Sequence, residues 1–269
     1  MSEPLPAAIA AALGRTADRR RQFGEPSYFF SETTSTNDVA AALAERGMRE
    51  GTTVVASAQT AGRGRFGRDW FSPPGAGLYA SVVFRNPRAV PLLTLAGGVA
   101  VADGVRAATG LPVRLKWPND VVVEAGGTRA RWRKLAGVLA EASSGADGLQ
   151  HVVLGFGVNL RPAAYPAHIA DCATSIETEL GRVPDGGAVL AETLCVLAAY
   201  AEAVHAGDAR SLLDRWRALA PSARGATVQW DTSNGEMTGV TDGIDDTGAL
   251  LVRAGSRVER IISGELRWV

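Results

Sequence analysis

The chain has 269 residues, 28 basic and 28 acidic side chains, and a hydrophobic content of 46%. That is enough apolar material for the core of one large domain, or of a main domain with a small companion. The even charge and a pI near 6.9 argue against nucleic acid or an anionic membrane as the main partner, and the local basic clusters suit a small anionic ligand.

The two cysteines, Cys172 and Cys195, stand far apart in no CxxC pattern, as expected of buried thiols in a reducing cytoplasm. His151, His168 and His205 are scattered and form no metal-ligand spacing. No apolar run reaches the ~18 residues of a membrane span. The N-terminal stretch loosely resembles a signal peptide, but its charges follow the apolar part instead of preceding it, which argues against secretion.

In chain order, residues 1–26 are rich in Ala and Arg and predict one short helix or an arm. They leave no room for a DNA-binding helix-turn-helix, which needs roughly twice that length. Tyr28–Ser31 is a short strand. Ser35-Thr36-Asn37 offers an N-cap to the helix that follows, and Gly47 offers its stop, so capping alone could account for this motif. Thr52–Ala58 is β-branched and apolar, a buried strand.

That strand runs into Gln59–Ser72, where Gly62, Gly64 and Gly67 alternate with Arg63, Arg65 and Arg68 and are followed by Trp70 and Phe71. Glycine lets backbone N–H groups approach a ligand, arginine forks onto phosphates and carboxylates, and an aromatic face suits a nucleobase. The loop reads as an anion clamp bridging two strands at a sheet edge, since Gly77–Arg85 resumes strand character. Without bound anion it is expected to be mobile, because its like charges repel.

Leu92–Gly110 predicts a helix. In Val113–Glu124, Pro118 and Asn119-Asp120 make a corner between two strands, and Lys116 stands just before it. Gly126-Gly127 turns the chain into the strand Lys134–Ala142, where Lys134 opens an otherwise apolar run. After a turn at Asp147-Gly148, the strand Val152–Leu160 contains Gly155 and Gly157 and ends at Asn159. The middle of the chain is therefore an antiparallel meander. A loop with short helical pieces (161–184) and two helices, Gly187–Ala206 and Ala209–Ala220, follow. From Arg224 onward, short strands joined by Asn-Gly, Asp-Thr-Gly and Gly-Ser turns predict a small closed barrel. The implied division is 1–26, 27–223 and 224–269.

Five motifs in order carry a resemblance: Ser35-Thr36-Asn37 with Gln59, Gly62–Arg68 with Trp70, Lys116–Asp120, Lys134–Gly137 and Gly155–Asn159. Together with the tail around Gly243–Leu251 and Gly264-Glu265, they resemble the biotin–protein ligases, in the short form without a DNA-binding domain. The resemblance implies an α+β fold: a mixed, mostly antiparallel, class II synthetase-like sheet with helices packed on it, plus an SH3-like C-terminal barrel. It implies an AMP-forming, ATP-dependent ligase that makes biotinoyl-5′-AMP and transfers biotin to a lysine of a biotin carboxyl carrier domain. Its Mg2+ is carried by ATP, with no protein metal site.

Carried over residue by residue, the resemblance places Ser35, Thr36, Asn37, Gln59, Gly62, Arg63, Arg65, Lys134, Gly137 and Gly155 at biotin, with Arg63 towards its carboxylate. Arg65 and Arg68 are assigned to phosphate, Trp70 to adenine, and Asn119 and Asn159 to base or ribose. Lys134 bridges carboxylate and α-phosphate, Lys116 assists, and Asp120 orients or deprotonates the incoming lysine. A cytoplasmic monomer or weak homodimer, with neither nucleic acid nor membrane as partner, completes the expectation. Lipoate or octanoate ligation on the same scaffold is the nearest alternative. A biotin-sensing repressor and a non-catalytic binding module are more distant ones.

Overall fold

The computed structural model describes residues 2–85, 90–125, 132–145, 148–206, 208–232 and 235–269. The Gly126-Gly127 turn, Asp147 of the Asp147-Gly148 turn and Asn234 of the Asn-Gly turn lie outside the described residues.

A seven-stranded sheet runs in the order β1-β2-β3-β7-β6-β5-β4. Its strands are β1 (Ser27–Phe30), β2 (Thr53–Ala56), β3 (Gly77–Phe84), β4 (Arg114–Lys116), β5 (Asp120–Glu124), β6 (Trp132–Gly145) and β7 (Gly148–Asn159). Strands β1 and β2 pair in parallel; the meander β4-β5-β6-β7 and the β7-β3-β2 pairs are antiparallel. One expectation needs correcting. The Gly/Arg loop joins β2 to β3, and both are interior strands because β1 lies outside β2. The loop projects from the end of the sheet, not from its lateral edge.

Strand alternation decides what each face carries. On β7, Val152, Leu154, Phe156 and Val158 face the main core, which leaves Val153, Gly155, Gly157 and Asn159 on the other face. The core face is covered by α4 (Val90–Thr109) and α7 (Gly186–His205). Glycines let these helices come close: a Cβ on Gly97 would lie 2.7 Å from Val138 Cγ1, and one on Gly104 would lie 2.4 Å from Thr193 Oγ1. The opposite face is covered only in part, by α3 (Thr36–Glu45), whose Ala40 and Ala44 pack on Val54, Val83 and Val153. The uncovered remainder holds the site.

Two further expectations are corrected. Leu92–Thr109 and Gly186–Ala203 are each long and apolar enough to cross a membrane by length and mean hydropathy, with 72% and 56% of each stretch buried. They are the core helices just described. Residues 1–26 form two helices, α1 (Ala7–Arg15) and α2 (Ala17–Arg20), with Ala12, Leu13 and Phe23 in the main core. The run Arg19-Arg20-Arg21 is fully engaged. Arg19 pairs with Glu192 and Arg21 with Glu202, while Arg20 donates to the carbonyls of Leu13 and Phe23.

Beyond α5 (Ala167–Ala170), α6 (Ile176–Leu180), α7 and α8 (Arg210–Leu219), the chain enters a five-stranded antiparallel sheet ordered β11-β10-β9-β8-β12. Its strands are β8 (Arg224–Thr232), β9 (Gly235–Ile244), β10 (Leu250–Ala254), β11 (Arg257–Ile261) and β12 (Arg267–Trp268). Val228, Leu250 and Val252 join the same core cluster as the main sheet. Trp117 Nε1 donates to the Gly248 carbonyl at 3.0 Å, fastening this unit beside the Lys116–Asp120 corner.

Candidate active site

A cavity of about 540 Å3 opens over the uncovered sheet face, walled by the Gly/Arg loop, the 116–120 corner, the 165–173 segment and residues 264–268. Its floor is a hydrogen-bond network. Ser35 caps α3, its Oγ accepting from Asn37 N at 3.3 Å. Thr36 donates from both N (2.8 Å) and Oγ1 (3.1 Å) to Gln59 Oε1, and Gln59 Nε2 donates to Ser72 Oγ at 3.0 Å. Ser81 Oγ lies 2.7 Å from Thr36 Oγ1 and 2.5 Å from Asn37 Oδ1, while Asn37 Nδ2 donates to Glu141 at 2.5 Å. Capping and site chemistry thus share one motif. A Cβ on Gly155 would stand 2.1 Å from Asn37 Oδ1, so this position must be glycine for the amide to enter.

The reactive cluster owes its aim to a β-bulge. The β5–β6 pairing shifts between Val121 and Val122, so that Val121 faces Ala136 and Val122 faces Lys134. A bulge turns a side chain to the other face. Leu135 and Ala136 therefore both enter the core, and Lys134 emerges beside Gly137, whose absent Cβ would meet Lys134 Cε at 3.2 Å. Lys134 Nζ lies 2.6 Å from Asp120 Oδ1. Burial lowers the pKa of Lys116, with Asp120 opposing the shift, and Lys116 Nζ stands 5.6 Å from the Trp268 ring centroid. Arg65 is likewise depressed by burial, offset by Asp120 and Glu265, and lies over the Phe66 ring at 4.7 Å.

Asn119 and Asn159 are both tied to neighbouring backbone. Asn119 Nδ2 donates to the Val138 carbonyl and Asn159 Nδ2 to the Thr174 carbonyl, each at 2.9 Å. Trp70 lies over the glycine ledge, and a Cβ on Gly157 would meet its Nε1 at 2.3 Å. That Nε1 is buried with no hydrogen-bond partner among the described residues, and Lys134 Nζ lies 5.2 Å from the ring centroid.

The arginines of the loop all line the cavity, but two of them are held by acids. Arg63 pairs with Asp38 at 2.7 Å and Glu141 at 3.2 Å, contacts that raise its pKa. This engages the group expected at the biotin carboxylate. Arg68 pairs with Glu265 of the C-terminal unit. The backbone of the loop makes one short 3-10 turn, Arg65–Gly67, with Phe66 at φ 58°.

Ser72, Ser81, Glu141, Asp38, Tyr165, Cys172, Glu265 and Trp268 were missed as site residues by sequence reasoning. For two of them the signal was present. Ser81 stands two places from Tyr79 on β3, and Glu141 stands four from Gly137 on β6, a period that places them on the site face.

This arrangement has known counterparts. The Biotin/lipoate A/B protein ligase family matches residues 29–159, and the Biotin protein ligase C terminal domain matches residues 227–266. A biotin--[acetyl-CoA-carboxylase] ligase of Paracoccus denitrificans is 34% identical over 83% of this chain and 92% of its own. A bifunctional ligase/repressor of Bacillus subtilis is 32% identical over 90% of this chain and 74% of its own. The biotin protein ligase of Aquifex aeolicus, solved with biotin and ATP, superposes with a TM-score of 0.76 at 27% identity, covering 90% of this chain and 98% of that one. With a glycine ledge, a capped Ser-Thr-Asn turn and a lysine aimed by a bulge at the heart of its cavity, this chain belongs to the biotin protein ligase family.

Proposed function

We propose a division of labour among the cavity residues of an ATP-dependent biotin–protein ligase. The carboxylate of biotin attacks the α-phosphate of ATP, releasing pyrophosphate and leaving biotinoyl-5′-AMP. The amine of an acceptor lysine then attacks the acyl carbonyl, and AMP departs. A carboxylate approaching a polyanion must be held in place and its charge neutralised.

The observation that carries this reading is Lys134 beside Asp120 at 2.6 Å, on the glycine-lined face between the polar floor and the basic wall. Lys134, a compact point charge, lies between carboxylate and α-phosphate. Arg65 and Lys116, their charged forms made costlier by burial, gain most from an anion and take the phosphates. Thr36, Asn37 and Gln59 read the polar ring of biotin. Arg63 has a different task from the one its position in the motif implied: its pairs with Asp38 and Glu141 fasten the loop to the floor. Asp120 holds Lys134 at rest and is the carboxylate placed to receive a proton from the acceptor amine. Mg2+ enters as the counter-ion of ATP.

The acceptor is a biotin carboxyl carrier domain of an acyl-CoA carboxylase, in line with the acetyl-CoA-carboxylase in the name of the Paracoccus relative. A cytoplasmic setting suits the two free cysteines, of which Cys195 is buried as expected while Cys172 is exposed, contrary to expectation, and a monomer or weak homodimer suffices for the chemistry. The test is transfer of labelled biotin, with Mg-ATP, to a carrier domain and to its Lys→Ala variant. Labelling of the intact carrier alone is expected, and equal labelling of both would refute specific transfer. Lipoate raising the melting temperature with ATP more than biotin does would favour the lipoate reading.

A further inference from the structure

Arg133 and Glu179 form a charged pair next to the catalytic cluster that the ligase chemistry leaves without a task. Arg133 precedes Lys134 on β6, and alternation sends the two side chains to opposite faces. Arg133 Nη2 reaches Glu179 Oε1 of α6 at 2.8 Å, and only 11% of the Glu179 side chain is exposed. The same oxygen accepts a hydrogen bond from Thr174 Oγ1. Arg133 Nε is buried with no hydrogen-bond partner among the described residues, an arrangement that costs stability and is a poor stabilising device by itself.

Thr174 links this pair to the cavity. Its N–H donates to the Lys134 carbonyl at 2.9 Å, and the Lys134 N–H donates to the Cys172 carbonyl at 2.6 Å. Residues 172–174 thereby run alongside β6 for one parallel step, Lys134 opposite Ala173. The Thr174 carbonyl accepts from Asn159 Nδ2 at 2.9 Å. Cys172 and Ala173 line the cavity; Ala173 stands opposite Lys134, and Cys172 is among the groups that act on the charge of Lys116, whereas no contact ties either to Ser35 or Gln59 among the described residues.

We propose that Arg133 and Glu179 are positioning residues: a clamp that, through Thr174, holds the cavity wall at Cys172 and Ala173 in place and so sets the affinity for nucleotide, leaving the Lys134 side chain and the biotin floor as they are. The inference rests on the ligase reading, because it assigns the two ends of the cavity to two substrates. Neither side chain touches substrate, so the clamp governs KM for ATP and leaves the chemical step alone.

The test is biotin-dependent pyrophosphate exchange by wild type, R133A, R133K, E179Q and the R133A/E179Q double variant, each with its melting temperature. Each of R133A and E179Q is expected to raise the ATP KM about tenfold, with kcat and the biotin KM within about twofold of wild type. The double variant should match the single ones because they remove one shared contact, and R133K should recover part of the loss. E179Q keeps an acceptor for Thr174 and carries the test if R133A does not fold. An unchanged ATP KM in a folded variant would overturn the clamp. So would equal rises in both KM values that track a falling melting temperature. Wild type without biotin-dependent exchange would overturn the ligase reading itself, a result distinct from active wild type with indifferent variants.

Discussion

The floor of the site and the lid above it are built on opposite principles. The floor is backbone and buried polar groups: Ser35, Thr36, Asn37 and Ser81 are almost fully buried, and Gly155 leaves no space beyond what the Asn37 amide fills. The lid is charge on glycine: Arg63 and Arg68 are held by ion pairs with 37% and 67% of their side chains exposed, and Phe66 is an exposed apolar residue. Buried hydrogen bonds are costly to leave unmade, whereas exposed ion pairs contribute about 0–1 kcal/mol each and weaken in salt. The floor can therefore discriminate between ligands. On the proposed reading, Arg68 of the lid exchanges Glu265 for a phosphate, while Arg63 keeps its two acids.

Lys134→Ala provides the largest expected effect, since this residue serves both regions. Pyrophosphate exchange should fall by about 10³-fold or more, with little change in melting temperature because the side chain is a third exposed. Wild-type turnover in this variant would remove Lys134 from the chemistry. Next come two glycines that should separate floor from lid. Gly155→Ala drives a Cβ to 2.1 Å from Asn37 and should raise the biotin KM about a hundredfold, as ångström-scale misplacement does. Gly67→Ala meets open space and carries only the strain of its φ of +71°, so a cost near 1 kcal/mol and a small change in KM are expected. Equal effects of the two changes would erase the contrast.

A smaller effect concerns the lid alone. Arg63→Ala or Arg68→Ala should make residues 62–71 a few-fold more sensitive to protease at low salt, with the difference fading at high salt. Biotin plus ATP should protect the wild-type loop. Cleavage at the same rate with and without ligand would refute ligand-driven ordering.

The smallest prediction is a pH effect. Burial lowers the Lys116 pKa below its usual 10.5, so between the folded value and 10.5 the unfolded chain binds more protons, and stability rises with pH across that window. Below it the full cost of the buried cation is present. Lys116→Met should flatten this rise in urea titrations at a series of alkaline pH values.

The site was legible where chemistry and local sequence coincide. Lys116, Asn119, Asp120, Lys134 and Gly137 stand in short motifs, and all of them line the cavity. The helix of Thr36–Glu45 followed from its Ser35 cap, and the β5–β6–β7 meander from apolar runs between turns. What escaped was pairing across distance. Glu141 lies 78 residues from the Arg63 it holds, and nothing local marks that contact. The two core helices were themselves legible, at Leu92–Gly110 and Gly187–Ala206, but not the pairing of Asp103 with Arg215 of α8 at 2.5 Å, a charge that interrupts an apolar run on the sequence.

By itself the sequence determined the alternation of the strands, the caps and stops of the helices, and the positions where glycine lets another group approach. These are properties of a few neighbouring residues, governed by sterics and backbone hydrogen bonding. Tertiary structure alone decided which face each alternation presents, since a one-residue bulge at Leu135 reverses it and brings Lys134 into the cavity. It also decided which acid each arginine meets. An ion pair depends on segments far apart in the chain arriving within about 4 Å, and that is settled only when the sheet is closed on its helices.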